Sequence, residues 1–262
     1  MYFPNRKDPM QQKLFKSLPM ALSMVVATLA MQPAALAQQP PADRTSSVLL
    51  VSVKPDMLDE WTDLLKHEVL PALKKAGFAS VTTNQTVLGN NYEFLIATPL
   101  DKMDVLDLAP ALERGIGKEA AARLSAKLSK CTVSSRRYLA TIVGSMSNPG
   151  PTDKVLPIRI YSRYRIIAGK TAEFENLFKT EFLPQYKKAG VSMAYGRRGF
   201  GSTGANEIVL ITQRENFASM EGGPAIRKSM GDEAYSKLNA KALGLRVPLD
   251  TIIRRYRADL SY

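Results

Sequence analysis

The chain has 262 residues, with 36 Lys and Arg against 24 Asp and Glu, and a formal net charge of +12 at pH 7. It holds one Cys and one His, which excludes an internal disulfide framework and a Cys/His zinc site. No C-x-x-C, H-E-x-x-H, G-x-S-x-G or P-loop pattern occurs, so the common motif-borne chemistries are excluded as well.

Residues 1–37 read as a secretory signal peptide. Arg6, Lys7, Lys13 and Lys16 make a basic start, residues 18–31 are apolar, and Ala35-Leu36-Ala37 is a small-x-small cleavage site. The apolar stretch is short for a bilayer span and is interrupted by Pro19. The expectation is a periplasmic or secreted protein, cleaved near Ala37, with no membrane span after cleavage. Residues 38–46, rich in Pro and Gln, read as a flexible leader.

A first unit is expected over residues 47–144. Residues 48–53 are a β-branched apolar run, hence a strand. In residues 60–78, Trp61, Leu64, Leu65, Val69, Ala72, Leu73 and Ala76 keep the helical period. Lys74 and Lys75 suit the last turn, and Gly77 suits the stop. Pro71 falls inside that helix and predicts a kink or a break. Residues 78–87 and 92–98 read as strands around the Leu-Gly-Asn-Asn turn. Residues 101–130 read as helical, punctuated by Pro110, Gly115 and Gly117, and 135–143 as a strand. Residues 145–157, with Ser-Asn-Pro-Gly-Pro, read as a linker.

The second unit, residues 158–262, repeats this order. Strands are expected at 158–167, 191–197, 207–212 and 251–258, and helices at 172–189 and 217–243. The central helix recurs almost verbatim. EWTDLLKHEVLPALKKAGF from Glu60 and EFENLFKTEFLPQYKKAGV from Glu173 share 10 of 19 positions at an offset of 113 residues. The pairs Pro110/Pro224 and Gly117/Gly231 recur too, as does Arg-Arg-Tyr at 136–138 and 254–256. The sequence therefore predicts a tandem duplication. The fold class is α+β: two ferredoxin-like βαββαβ units packed sheet to sheet as an intramolecular pseudo-dimer.

On that element order, repeat length and helix placement the chain resembles the dimeric α/β-barrel superfamily, including its antibiotic-biosynthesis-monooxygenase-like, NIPSNAP-like and haem-degrading members. The resemblance covers nearly the whole chain after residue 37 and is specific for fold, while such a fold hosts many activities. Haem degradation in those relatives uses an Asn, Trp and His constellation. Here Trp61 belongs to the helix stripe and His67, the sole His, lies off it, so that chemistry is not expected.

The basic excess is uneven. Residues 38–150 carry 13 basic and 12 acidic side chains, and residues 151–262 carry 19 and 11. Alternation puts Arg159, Tyr161, Arg163 and Arg165 on one strand face, where the first unit has Val48, Leu50 and Ser52. Tyr161, Arg163, Arg165 and Arg257 are therefore the candidate ligand-binding residues, because guanidinium forks suit a carboxylate or phenolate. The competing reading is that protein acids, Glu207 first, pair with these arginines. Glu207 matches Glu93, and an acid at one strand position in both units points to a structural ion pair.

No metal site and no cofactor is read from the sequence. Cys131 reads as a small buried hydrophobe rather than a nucleophile. Aromatic and basic residues are not interleaved as nucleic-acid binders require, so no nucleic-acid partner is expected. The pattern allows a small anionic or aromatic ligand and a homo-oligomer. The leading functional expectation is an exported small-ligand-binding or structural module of the cell envelope. The alternative is a cofactor-independent monooxygenase- or isomerase-like enzyme using the barrel interior. The catalytic residues stay unassigned. An enzyme requires a pocket, and a structural module a filled core.

Overall fold

A computed structural model of the protein describes residues 41–150, 155–204 and 206–262. The expected signal segment, residues 1–37, lies outside the described residues, as do residues 38–40 of the leader and 151–154 of the linker.

Eight strands form a closed antiparallel barrel within a mixed α/β fold. They are β1 (Arg44–Val53), β2 (Thr82–Leu88), β3 (Glu93–Leu100), β4 (Thr132–Ile142), β5 (Ile158–Ile166), β6 (Met193–Arg198), β7 (Glu207–Arg214) and β8 (Arg246–Tyr256). Around the ring the order is β1-β3-β2-β8-β5-β7-β6-β4. Each half contributes an arc of four strands, and the arcs are hydrogen-bonded edge to edge. Asn84 of β2 lies opposite Tyr256 of β8, and Thr141 of β4 opposite Arg197 of β6. These seams leave no arc with an unpaired edge strand.

Helices cover the outside. The first half carries α1 (Leu58–Leu64), α2 (Leu70–Lys75), α3 (Ala111–Ile116) and α4 (Lys118–Cys131). The second carries α5 (Thr171–Leu177), α6 (Leu183–Lys188), α7 (Ala225–Met230) and α8 (Asp232–Leu243). The prolines act through a wide turn. Leu65–Val69 joins α1 to α2 as a π turn, and Phe178–Phe182 joins α5 to α6 in the same way. The Leu70 N–H donates to the Leu65 carbonyl, and Leu183 to Phe178, five residues back in each case. A proline ring crowds the carbonyl four residues before it and has no N–H to give. One extra residue in the turn relieves both problems without ending the helix. Gly115 of α3 lies where a Cβ would come 2.1 Å from the Ala72 carbonyl oxygen, so glycine permits α3 to close on α2.

Two segments differ from expectation. The leader's last residues belong to β1, since Arg44 lies opposite Ile142 and Thr45 opposite Leu100. Paired backbone overrides their polar composition there. β8 begins at Arg246 rather than near residue 251, because Arg246–Val247 pair with Ile166 and Arg165 despite Pro248.

Strand alternation sorts the core into three parts. Val51, Val53, Phe94 and Ile96 face the helices of the first half, with Trp61, Leu64 and Leu65. Ile166, Tyr195, Ile208 and Leu210 face those of the second, with Phe174, Phe178 and Phe182. Val48, Leu95, Tyr138, Tyr161 and Val209 form a third cluster. All five come from strands, and each alternates with residues that face the helices, so this cluster fills the barrel interior.

Candidate functional site

The residues singled out by sequence do not all meet. Tyr161 is buried against Val48, Leu95, Tyr138 and Val209 in the interior cluster. Arg163 lies two residues on along the same face of β5, opposite Asp250 of β8. Its Nε donates to Asp250 at 2.6 Å and its Nη2 donates to the second carboxylate oxygen, a bidentate pair. That bond holds the Asp250 carboxyl below its ordinary range and raises the Arg163 guanidinium. Arg165 is at the rim, 55% exposed, with Nη2 3.6 Å from Glu207. Arg257 lies apart, donating to Asp259 at 2.8 and 2.7 Å and to Gln85 at 2.6 Å.

Glu207 is buried, and its principal partner is Arg198, at 2.8 Å. The Thr203 hydroxyl donates to both of its oxygens at 3.2 Å. Arg254 reaches the other half, donating to Glu93 at 2.5 Å while its guanidinium lies 4.9 Å from the Tyr161 ring centroid. Arg198 stands 4.3 Å from the Tyr138 ring centroid. Burial raises the Tyr138 pKa, with Arg198 pulling the other way. Arg163, Arg198 and Arg254 therefore each have a carboxylate of their own, and need no ligand to be buried here. Sequence reasoning missed Arg198, Arg254 and Asp250 as partners. Asp250 was missed because the sequence pattern starts the strand at residue 251; Arg163 pairs with Asp250 in the same register as Ile158 with Arg255, and the bulge at Leu249 falls beyond them.

A cavity of about 500 Å³ lies elsewhere, between the helices of the first half and the outer face of its strands. Leu49, Ile96 and Leu100 form the strand wall. Leu65, Val69 and Leu73, from α1 through the π turn to α2, form the second wall. Leu112, Ala121 and Leu128 of α3 and α4, with Val105, Leu106, Leu108, Ala109 and Pro110, form the remaining wall. Its charged lining groups are Glu113, Arg114 and Arg137. Arg114 is fixed by donation to the Ala76 carbonyl at 3.2 Å and lies 5.5 Å from the Phe78 ring centroid. Such a wall suits a flat apolar body with one polar or anionic edge.

The second half fills the same space. At the offset of 113 residues, Leu65, Val69 and Leu73 correspond to Phe178, Phe182 and Tyr186. Those three rings pack together, with Phe178 5.8 Å from Phe182, 6.2 Å from Tyr186 and 5.0 Å from Tyr195. Aliphatic side chains in place of rings leave the first half hollow. The aligned helices carry this signal in the sequence, so it was available to sequence reasoning and was missed.

Among the described residues that line the cavity there is no His, Cys, Met or Tyr, the side chains suited to haem iron. His67 is exposed on the π turn, and Cys131 is buried with its thiol donating to the Lys127 carbonyl. An axially ligated haem does not fit these residues. Among the described residues no cluster of three or more His, Cys, Asp and Glu is placed to hold a metal ion, and no helix is long and apolar enough to cross a membrane.

No protein-family model and no curated protein matches the sequence. Solved structures do match the fold. An anthrone oxidase-like protein superposes with a TM-score of 0.55 at 12% identity, covering 84% of this chain and 92% of its own. A protein assigned as a chlorite dismutase gives 0.52 at 14% identity, covering 83% and 96%. One assigned as a monooxygenase from Fusobacterium nucleatum gives 0.51 at 10% identity, covering 82% and 92%. These proteins belong to the dimeric α+β-barrel superfamily, and the chain shares that fold.

Proposed function

We propose that the protein is a small-molecule enzyme of the monooxygenase-like kind, with the first-half cavity as its substrate site. The observation that carries this reading is the hollow in the first half where the second half is filled by Phe178, Phe182 and Tyr186. A structural module has no use for unfilled apolar space, since lost packing lowers stability. This favours the enzyme reading over a purely structural envelope module, and moves the site from the barrel interior to the space between helices and sheet. The similarity to an anthrone oxidase-like protein and to a protein assigned as a monooxygenase agrees with it.

The substrate class that suits the walls is a flat, weakly acidic aromatic compound. Glu113 is the carboxylate on the wall that would take a proton from it, and Arg114 and Arg137 would favour the resulting phenolate or enolate. Such an electron-rich anion reacts with dioxygen directly. A methylene oxidised to a carbonyl gives up two hydrogens and takes one oxygen atom, while the second oxygen leaves as water. The experiment is oxygen uptake with anthrone, beside fluorescence titration of the same compound. Parent protein should bind and consume oxygen, and Val69→Phe, which copies Phe182 into the cavity, should do neither. Equal binding in parent and variant, or no binding in the parent, would remove the reading.

The finer architectural expectations belong to this proposal: two duplicated ferredoxin-like units forming an intramolecular pseudo-dimer, in a protein exported after cleavage near Ala37. Supporting the first is the order β4-β1-β3-β2 in one arc and β8-β5-β7-β6 in the other. Supporting the second is the basic, apolar and Ala-Leu-Ala pattern of residues 1–37. N-terminal sequencing of protein from an envelope or secreted fraction should start near Gln38, and an intact Met1 on cytoplasmic protein would refute export. The candidates drawn from the sequence, Tyr161, Arg163, Arg165 and Arg257, hold no ligand role in this proposal. Arg163, Arg165 and Arg257 each lie beside a protein carboxylate, and Tyr161 is packed in the interior core.

A further inference from the structure

Arg246 opens β8 on the face that looks to the helices of the second half, and it is 5% exposed. Its guanidinium carbon lies 3.8 Å from the Tyr164 ring centroid, 5.4 Å from that of Phe174 and 5.5 Å from that of Phe182. Its one hydrogen bond is a long one, Nη2 to the Asn239 side-chain oxygen at 3.4 Å. Nε and Nη1 have no hydrogen-bond partner among the described residues, and no described carboxylate comes within 4.0 Å. Arginine does not shed its proton to escape such a site. Aromatic faces attract the cation but supply no counter-charge. Burial also raises the Tyr186, Tyr195 and Tyr235 pKa values, which keeps these phenols neutral.

A cavity of about 320 Å³ opens beside this guanidinium, between α8 and the bulged start of β8. Tyr235, Asn239 and Leu243 come from α8, and Tyr164 and Pro248 from the strands. Pro248 has no N–H, and the bulge at Leu249 pulls the strand away from regular pairing with β5. Asp250 also lines the cavity, but Arg163 holds both of its oxygens. A buried cation without an acid of its own therefore borders a space of mixed lining, with Tyr164, Tyr235, Leu243 and Pro248 beside Arg163, Asn239, Asp250 and Thr251.

We propose that this cavity is an anion site for a small carboxylate with an apolar or aromatic body, its charged end meeting Arg246 and the Asn239 amide, its body lying against Tyr164, Tyr235 and Leu243. The site is in the other half of the barrel from the substrate cavity and does not rest on that reading. It places the carboxylate recognition expected of the basic half on a residue whose charge the protein leaves unpaired.

The test is calorimetric titration of the full chain with sodium benzoate, with benzyl alcohol as the neutral comparison. Saturable benzoate binding is expected, with none for the alcohol. Affinity should fall by about tenfold or more in Arg246→Gln. Because Arg246 is buried and its replacement could prevent folding, Leu243→Trp serves as the second variant. It fills the cavity from an exposed position and should abolish binding in a folded protein. No saturable heat in the folded parent, or unchanged affinity in Leu243→Trp, overturns the proposal.

Discussion

Val69→Phe puts the ring of Phe182 at its matching place in the first half. In a filled core such an enlargement is unfavourable, costing about 1–3 kcal/mol through strained rotamers and shifted backbone. Here the side chain at 69 lines a cavity of about 500 Å³, so the added ring has somewhere to go. A Phe side chain that buries about 60 Å² more apolar area than Val gains about 1.5 kcal/mol at about 25 cal/mol per Å². Ordering the larger side chain takes back about 0.5 kcal/mol. The variant should therefore be about 1 kcal/mol more stable than the parent. Urea unfolding followed by circular dichroism reads this as a higher midpoint at unchanged slope. The hollow first half gives the sign, and the sign is the test. A variant destabilised by about 1–3 kcal/mol would mean that the wall collapses inward in solution and that the cavity is closed.

Other outcomes follow from the ion pairs and the thiol. Glu207→Gln, which leaves buried Arg198 without its acid, should cost about 3 kcal/mol of unfolding free energy in the same urea assay. Asp250 has its carboxyl depressed by Arg163, so it contributes stability above its unfolded pKa of about 3.9, lost as pH falls through the lower folded value. Asp250→Asn should then be less stable than the parent at pH 7, by about 1 kcal/mol since the pair is partly exposed. The gap should close when unfolding is measured below about pH 3. Cys131 is fully buried, and burial raises its thiol pKa, so iodoacetamide should label it in urea and not in the native protein, as mass spectrometry will read.

The element order was legible because one helical segment occurs twice and alternation is plain in β1 and β5. That Tyr161 and Arg163 share one face of the strand was legible for the same reason, but that this face looks inward was not. The partners were not. Asp250 meets Arg163 in the register that runs unbroken from Ile158 opposite Arg255, but it lies just before residue 251, where the sequence pattern starts the strand. Arg198 reaches Glu207 across the β6–β7 hairpin, where sequence alone placed a Gly-rich turn and no charge pairing. Pro71 and Pro184 announced irregularity in the helix, but whether it would be a break or a π turn depends on packing against the sheet. The cavity is a different kind of miss. Leu65, Val69 and Leu73 look like any core stripe until set beside Phe178, Phe182 and Tyr186. Arg246 gave no sign, since a basic residue at a strand's first position is ordinarily solvated.

The two arcs close on each other through seams, and β4 meets β6 from Ala140 to Ile142 against Gly196 to Arg198, with Leu139 bonded to Gly199 and Phe200 on one side and Val143 to Tyr195 on the other. A ring held this way has a built-in route to exchange. If both seams open in two neighbouring molecules, the first arc of one chain can close on the second arc of the other, restoring every strand pairing. The exchanged dimer keeps the strand pairings of the monomer and differs from it mainly in how the two halves of each chain are connected, so the two forms lie close in free energy. Concentration and time at elevated temperature, rather than any new contact surface, would then set the proportion of dimer.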